Sequence, residues 1–373
     1  MKIAQIAPLM ESVPPRLYGG TERVVSFLSE ELVRQGHDVT LFASGDSVTS
    51  ARLVACSDQA IRLNPAVKDH IPHYMIMLDK VRRSAHLFDI VHFHIDAFHM
   101  PLFRDLVFKT VTTLHGRQDL PDLAHLYRAF PDMPLVSISN AQRQPIPDAN
   151  FIRTIHHGLP ADLLKPNYDP RGGYLAFLGR ISQEKGPDRA IAMASALGLP
   201  LKIAAKIDKA DEQYFREVVA PMLDRPGVQF VGEINDYDKT KFLGDATALL
   251  FPIDWPEPFG LVMIEAMACG TPVLAFRRGS AAEIVDDHLT GRLVETVAEA
   301  IQVLPGMLQL NRRAIRRHFE ERFSAFRMAS DYLDVYLDLG HRAAANVLRR
   351  DRPAAGSKVI ALPRRSGMEH YAG

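Results

Sequence analysis

The chain has 373 residues, of which 47% are apolar and 24% charged, with 44 basic side chains against 44 acidic ones. A chain of this length exceeds the size at which one hydrophobic core keeps growing, so two domains of roughly 150 to 200 residues are expected. The composition excludes a mainly disordered chain, and the balanced charge argues against a broad nucleic-acid surface, which needs a clustered basic excess.

Cys56 and Cys269 are the only cysteines and offer neither a disulfide framework nor a zinc cluster. The start, MKIAQIAP, lacks the cationic region and long apolar segment of a signal peptide, and no apolar run reaches the roughly 18 residues that span a bilayer. A cytoplasmic protein is expected, with membrane contact at most peripheral, at the inner face.

Short β-branched runs alternate with longer amphipathic stretches along the chain. In order they are KIAQIAP, DVTLFAS, DIVHFH, VTTLH, PLVSIS and RTIHH, then YLAFLGR, LKIAAKI, VQFVG, ALLFPI, PVLAFR and GRLV. This alternation predicts an α/β protein whose parallel strands are covered by helices on both faces, in two doubly wound, Rossmann-like halves. The Pro- and Gly-containing segment LPADLLKPNYDPRGG, from Leu159 to Gly173, is the natural linker. The expected units are 1–165, 166–310, a returning helical segment 311–340 and a basic, flexible tail 341–373. Ligands of open parallel sheets bind beyond the carboxyl ends of the strands, so the strand-to-helix loops of both halves should face a common cleft.

The first such loop runs from Leu9 to Thr21. Its Tyr18-Gly19-Gly20-Thr21 precedes the helix ERVVSFLSEELVRQG, and the paired glycines let backbone approach a ligand closely. It is not the GxGxxG of a dinucleotide fold, and the Walker pattern is absent as well. His92 and His94 alternate along HFHID and share a face, with Asp96 following; without a third ligand at suitable spacing, buried hydrogen-bonded histidines are the expectation. His115 ends VTTLH, where cleft residues of such sheets sit. His156 and His157 should point to opposite faces.

In the second half, Arg180 and Lys185 of GRISQEKG leave a strand end and enter a helix start, where two cations can clamp a diphosphate. Asp236-Tyr237-Asp238 resembles a metal-binding DxD, but its position before KTKFLGDA favours helix capping. The most informative segment is PIDWPEPFGLVMIEAMACG, from Pro252 to Gly270. It passes through two prolines and opens a helix at Phe259-Gly260-Leu261, whose first N–H groups and dipole suit an anion. Glu257 lies just before that helix and Glu265 inside it, and carboxylates accept hydrogen bonds from hydroxyl pairs of sugar or ribose. From Asn311 onward there are 13 Lys or Arg against 7 Asp or Glu. Arg312, Arg313, Arg316, Arg317 and Arg322 concentrate in one helix, which reads as a solvated face or a surface for anionic membrane.

In order and spacing these loops resemble family 4 glycosyltransferases, which are retaining, nucleotide-sugar-dependent enzymes of the GT-B fold. The resemblance rests on Glu257-x7-Glu265 in EPFGLVMIEAMACGTPV, on GRISQEKG, on LHG around His115 and on SAAEIVDDHLTG from Ser280 to Gly291. It implies that Glu265 holds the donor ribose, that Glu257 contacts the transferred sugar, and that Phe259, Gly260 and Leu261 offer backbone N–H groups. It also implies that Arg180 and Lys185 neutralise the diphosphate leaving group, that Gly19 and Gly20 let the first domain close on it, and that His115 lines the sugar site. Asp96 is an acceptor-side candidate.

The partners implied are a nucleotide sugar, UDP- or GDP-linked, and a hydroxyl acceptor that is saccharide, lipid-linked or small. No metal or resident cofactor is implied, and the last helix should return to the first domain. Rival readings are a GT-B nucleotide-sugar epimerase, a phosphorylase and a non-catalytic nucleotide-sugar sensor; a Rossmann dehydrogenase lacks its glycine fingerprint.

Overall fold

The computed structural model describes residues 1–16, 19–62 and 64–350; Tyr18 of the glycine loop and the tail beyond 350 lie outside the described residues. Seven parallel strands form the first sheet: β1 (Lys2–Ile6), β2 (Asp38–Ser44), β3 (Arg52–Ser57), β4 (Ile90–Phe93), β5 (Thr110–Thr113), β6 (Leu135–Ser137) and β7 (Phe151–Thr154). Six form the second: β8 (Leu175–Arg180), β9 (Leu201–Lys206), β10 (Val228–Gly232), β11 (Ala248–Phe251), β12 (Val273–Phe276) and β13 (Gly291–Val294). Their orders are β3-β2-β1-β4-β5-β6-β7 and β10-β9-β8-β11-β12-β13, so the α/β class with two doubly wound parallel sheets is as expected. The run RLVACS, which carries Cys56, forms an edge strand of the first sheet.

Strand order reverses at β1/β4 in the first sheet and at β8/β11 in the second. These are the positions where neighbouring strand-to-helix connections depart to opposite faces and leave a crevice. The central strands are buried nearly throughout, as strands covered on both faces must be. The helix Gly20–Arg34 shows how the covering works: Val24, Leu28 and Leu32, spaced by one turn, are buried against the first sheet's core.

The chain end ties the two halves together. In the helix Arg312–Arg322, the side chain of Asn311 accepts from the N–H groups of Arg313 and Ala314, satisfying two orphan donors. The solvated-face reading of this helix holds for Arg313 and Arg317, which are exposed, and is corrected for Arg312 and Arg316. Arg316 is buried and donates to the carbonyls of Leu164 at 2.9 Å, Ala268 at 2.6 Å and Ala161. Arg312 donates to the carbonyls of Asn167 at 2.7 Å and Gly244 at 3.0 Å. A guanidinium carries five donors in a fixed fork, so it can serve several carbonyls at once where chain segments converge. These two arginines therefore pin the linker to the second domain rather than facing solvent or lipid.

The last helix, Ala325–Arg350, crosses back onto the first sheet, where Tyr332 and Tyr336 are fully enclosed. Its backbone runs past the expected end near 340, because Gly340 alone does not stop a helix whose next residues, HRAAANVLRR, are mostly good helix formers. Among the described residues no helix is long and apolar enough to cross a membrane.

Candidate active site

A cavity of about 520 Å³ opens between the two sheets at the carboxyl ends of their strands. Gly19, Gly20, His115, Arg180, Lys185, Glu257, Phe259, Gly260, Leu261 and Glu265 all line it. Asp96, placed on the acceptor side from sequence, is not among its lining residues. The residue as a whole is exposed, while desolvation by the surrounding protein raises the pKa of its carboxyl above the ordinary carboxylate value.

The second domain supplies the charged wall. Lys185 and Glu257, 72 residues apart in sequence, meet in a direct ion pair. The Trp255 indole N–H donates to the same Glu257 oxygen at 2.8 Å, and the Lys185 ammonium stands 4.9 Å from the centre of that indole ring. Gly186 makes this approach feasible: at φ 69° it is left-handed, and a Cβ there would lie 2.4 Å from the Pro252 carbonyl oxygen. Arg180, at the end of β8, donates to Glu184 at 2.6 Å and lies 3.9 Å from Asp208 and 3.7 Å from Asp211. The two cations thus reach the cleft already surrounded by carboxylates, an arrangement the sequence pattern did not disclose.

Glu265 sits one turn inside the helix Leu261–Ala268 and is held by Lys239, whose Nζ is 2.7 Å from Oε1. The helix opens at Gly260, φ 81°, where a Cβ would strike Met263 and Phe251 at 2.8 and 2.9 Å. A Cβ on Gly20 would lie 3.8 Å from the Leu261 side chain, which marks how closely the two lobes approach here.

Both aspartates of the DxD look-alike lie in the first turn of the helix Asp236–Gly244, where the dipole favours acids, but neither is its cap. Asn235 caps the helix Asp236–Gly244, its side chain accepting from the Asp238 N–H at 3.0 Å. Asp236 instead pairs with Arg23 of the first domain and, at 3.3 Å, with Lys239. Among the described residues no group of three or more His, Cys, Asp or Glu side chains is placed to hold a metal.

On the first-domain wall, His115 stacks on His157 with ring centroids 5.2 Å apart, and burial drives its pKa down to about 3, so the ring is neutral. Its Nε2 is 2.8 Å from Nδ1 of His94. His92 and His94 are buried and use both ring nitrogens in hydrogen bonds. His156 departs from His157 to Glu283, 3.2 Å away. Glu22, buried beside the glycine loop, has its carboxyl pushed up to about 7, first by desolvation and then by the nearby Glu11. Both thiols are buried, and burial pushes Cys56 up to about 11 and Cys269 to about 12.

Sequence reasoning missed Glu22, Arg117, His157, Lys239 and Trp255, all of which line the cavity. The one available signal was composition: Trp255 is the only tryptophan and lies within the segment already singled out. The others sit on elements whose convergence is a tertiary fact.

Two family models match the chain: Glycosyltransferase Family 4 over residues 18–152 and Glycosyl transferases group 1 over residues 165–309. The alpha-maltose-1-phosphate synthase of Mycobacterium tuberculosis is 26% identical over 54% of this chain, a match spanning 62% of that relative's length. The sucrose-phosphate synthase of Thermosynechococcus elongatus has the same fold, with a TM-score of 0.76 at 21% identity, covering 91% of this chain and 98% of that one. So does Anabaena Alr3699/HepE, solved in complex with UDP-glucose, with a TM-score of 0.67 at 16% identity, covering 91% and 100%. With two α/β lobes joined as in these proteins and a family model on each, the chain belongs to glycosyltransferase family 4.

Proposed function

We propose that this protein is a retaining, metal-independent hexosyltransferase that moves a sugar from a nucleoside diphosphate to an acceptor hydroxyl, without a resident cofactor. One observation carries the reading: Arg180, Lys185, Glu257, Glu265, the Gly260 helix start, Gly19-Gly20 and His115 line one cavity although they come from four separate stretches of chain. Two cations, a helix N-terminus and hydroxyl-accepting carboxylates are what a nucleoside diphosphate sugar requires. The Anabaena neighbour's complex with UDP-glucose supports a donor of this class.

In this reading the reaction begins as the bond from the anomeric carbon to the diphosphate weakens and positive charge develops on the sugar. Negative charge grows on the departing oxygen, where Arg180, Lys185 and the first N–H groups of the helix stabilise it. Such interactions accelerate a reaction because they strengthen toward the transition state. Lys185 is then shared between Glu257 and the diphosphate, so Glu257, still held by the Trp255 indole, is free to take a sugar hydroxyl. Glu265 takes the ribose hydroxyls, with Lys239 fixing its carboxylate. The acceptor attacks from the face the diphosphate leaves, and its proton passes to that diphosphate, so no protein nucleophile is assigned.

Thermal-shift measurement with a panel of UDP- and GDP-sugars tests this, since a ligand that binds only the folded form raises Tm. At least one should do so, and slow release of free nucleoside diphosphate without acceptor should follow. Absence of any shift across the panel at millimolar ligand would overturn the proposal, and a shift without release would favour the sensor.

A further inference from the structure

A hydrogen-bonded chain runs from the last helix through the first sheet to the cavity, and its polarity can be worked out atom by atom. The Gln5 amide nitrogen donates to the Tyr336 hydroxyl at 3.1 Å, which turns Oε1, the only acceptor of that amide, toward His94 Nε2 at 2.7 Å. His94 must therefore carry its proton on Nε2. The ring is enclosed beside His92, His115 and His157, and burial holds it neutral, so Nδ1 is a bare lone pair. That lone pair faces His115 Nε2 at 2.8 Å, so the single proton of neutral His115 is on Nε2. His115 Nδ1 is left as an acceptor, and it is buried without a hydrogen-bond partner.

The other branch closes consistently. Tyr336, accepting from Gln5, gives its proton to His92 Nδ1 at 2.8 Å; His92 Nε2–H then donates to Thr113 Oγ1 at 2.8 Å, and Thr113 passes its own proton to the Tyr332 oxygen at 2.8 Å. The opposite polarity would strand a buried N–H on His115 Nδ1, and orphaned buried donors are rarer than under-used acceptors.

We propose that Gln5 and His94 are positioning residues that lock His115 as the Nε2–H tautomer, so that its Nδ1 lone pair accepts a hydrogen bond from a hydroxyl of the sugar in the cleft. The tautomer assignment stands on the hydrogen-bond chain and on the neutrality of the two buried rings; the hydroxyl partner rests on the function proposed above. Neither Gln5 nor His94 lines the cavity, and each acts only through His115.

Nitrogen-detected NMR on the full chain with ¹⁵N-histidine, with His115 assigned by His115→Asn, reads the tautomer directly. At pH 7 the His115 Nε2 should be pyrrole-like and Nδ1 pyridine-like, and Gln5→Met should shift the pair toward a mixture. A pyrrole-like Nδ1 in the native chain would overturn the lock, and an unchanged His115 signal in a folded Gln5→Met would remove Gln5 from it. Should Gln5→Met fail to fold, the native-chain spectrum still decides the polarity. With monodeoxy donor analogues, one hydroxyl deletion should lower kcat/KM by about tenfold in the native protein and by much less in Gln5→Met. Equal losses in both would overturn the hydroxyl contact. A chain that turns over no nucleotide sugar would defeat the proposed function while leaving the tautomer result intact.

Discussion

Lys239 Nζ lies 2.7 Å from Glu265 Oε1, and the two side chains are only 13% and 5% exposed. One comes from the helix after β10 and the other from the helix after β11, so the pair joins adjacent crossovers of the second sheet at the cavity wall. Removing one member of a largely buried pair leaves an uncompensated charge, whereas removing both does not. Lys239→Met should cost about 3 kcal/mol in urea unfolding, and Lys239→Met with Glu265→Gln should recover more than half of that loss. Simple additivity of the two changes would show that the pair is not coupled.

Arg180→Ala and Lys185→Ala should each lower kcat by about 10² to 10³ while changing nucleoside-diphosphate affinity far less, because the charge they meet grows during the reaction. Calorimetry with free nucleoside diphosphate, set beside turnover, separates the two effects. Equal losses in binding and turnover contradict the leaving-group role. By the same comparison, Glu257→Ala should impair mainly transfer and Glu265→Ala mainly nucleotide binding.

Glu22 gives a pH signature of opposite sign to that of an ordinary paired carboxylate. Its folded pKa, about 7, lies above its unfolded value of 4.5, so its contribution is fully present below pH 4.5 and is lost as pH rises through 7. The size is about 3 kcal/mol, at roughly 1.4 kcal/mol per pH unit between the two values. Glu22→Gln should therefore match the native protein near pH 4.5 and exceed its stability at pH 8.5, measured by urea midpoint. An identical pH profile for both would place the Glu22 carboxyl in solvent.

His99 acts in the other direction. It is buried with Nε2 2.9 Å from Thr112 Oγ1, and burial lowers its pKa to about 3, below the ordinary value of 6.5. Its contribution is present above pH 6.5 and is lost as pH falls below that value, with a slope of about 1.4 kcal/mol per pH unit. His99→Gln keeps a hydrogen-bonding amide and removes the titration, so stability between pH 6.5 and 5 should fall less steeply than in the native chain.

Arg316 is the strongest test of how the chain end is held. Arg316→Met strips donors from the carbonyls of Ala161, Leu164 and Ala268, and should destabilise by about 3 kcal/mol, since hydrogen bonds to a charged donor are worth about 1.5 to 3 kcal/mol each and their loss orphans buried acceptors. Arg316→Lys should restore little of it, because an ammonium lacks the planar fork. A loss below 0.5 kcal/mol, the roughly neutral range of surface sites, would return this arginine to the exposed face that its sequence suggested.

The strand runs, the two-lobed organisation and the loops that carry the site were legible in the sequence, because continuous apolar runs between amphipathic stretches leave a parallel sheet few alternatives. That Arg180, Lys185, Glu257 and Glu265 would line one cleft was legible for a related reason: they lie on the connections and helix starts that follow the carboxyl ends of β8 and β11, where the topology directs ligands. What those groups touch was not legible. Lys239 looked like part of a capping segment, Arg312 and Arg316 looked like a solvated or membrane-facing surface, and His92 and His94 showed no partner, since their partners Gln5, Thr113 and Tyr336 lie 21 to 244 residues away along the chain.

Periodicity and turn chemistry act over a few residues, and they determined which elements form and which loops point into the cleft. Charge pairing, proton placement and burial depend on distances of 3 to 4 Å between elements remote in sequence. Only the closure of the two lobes around the returning C-terminal helix decided those.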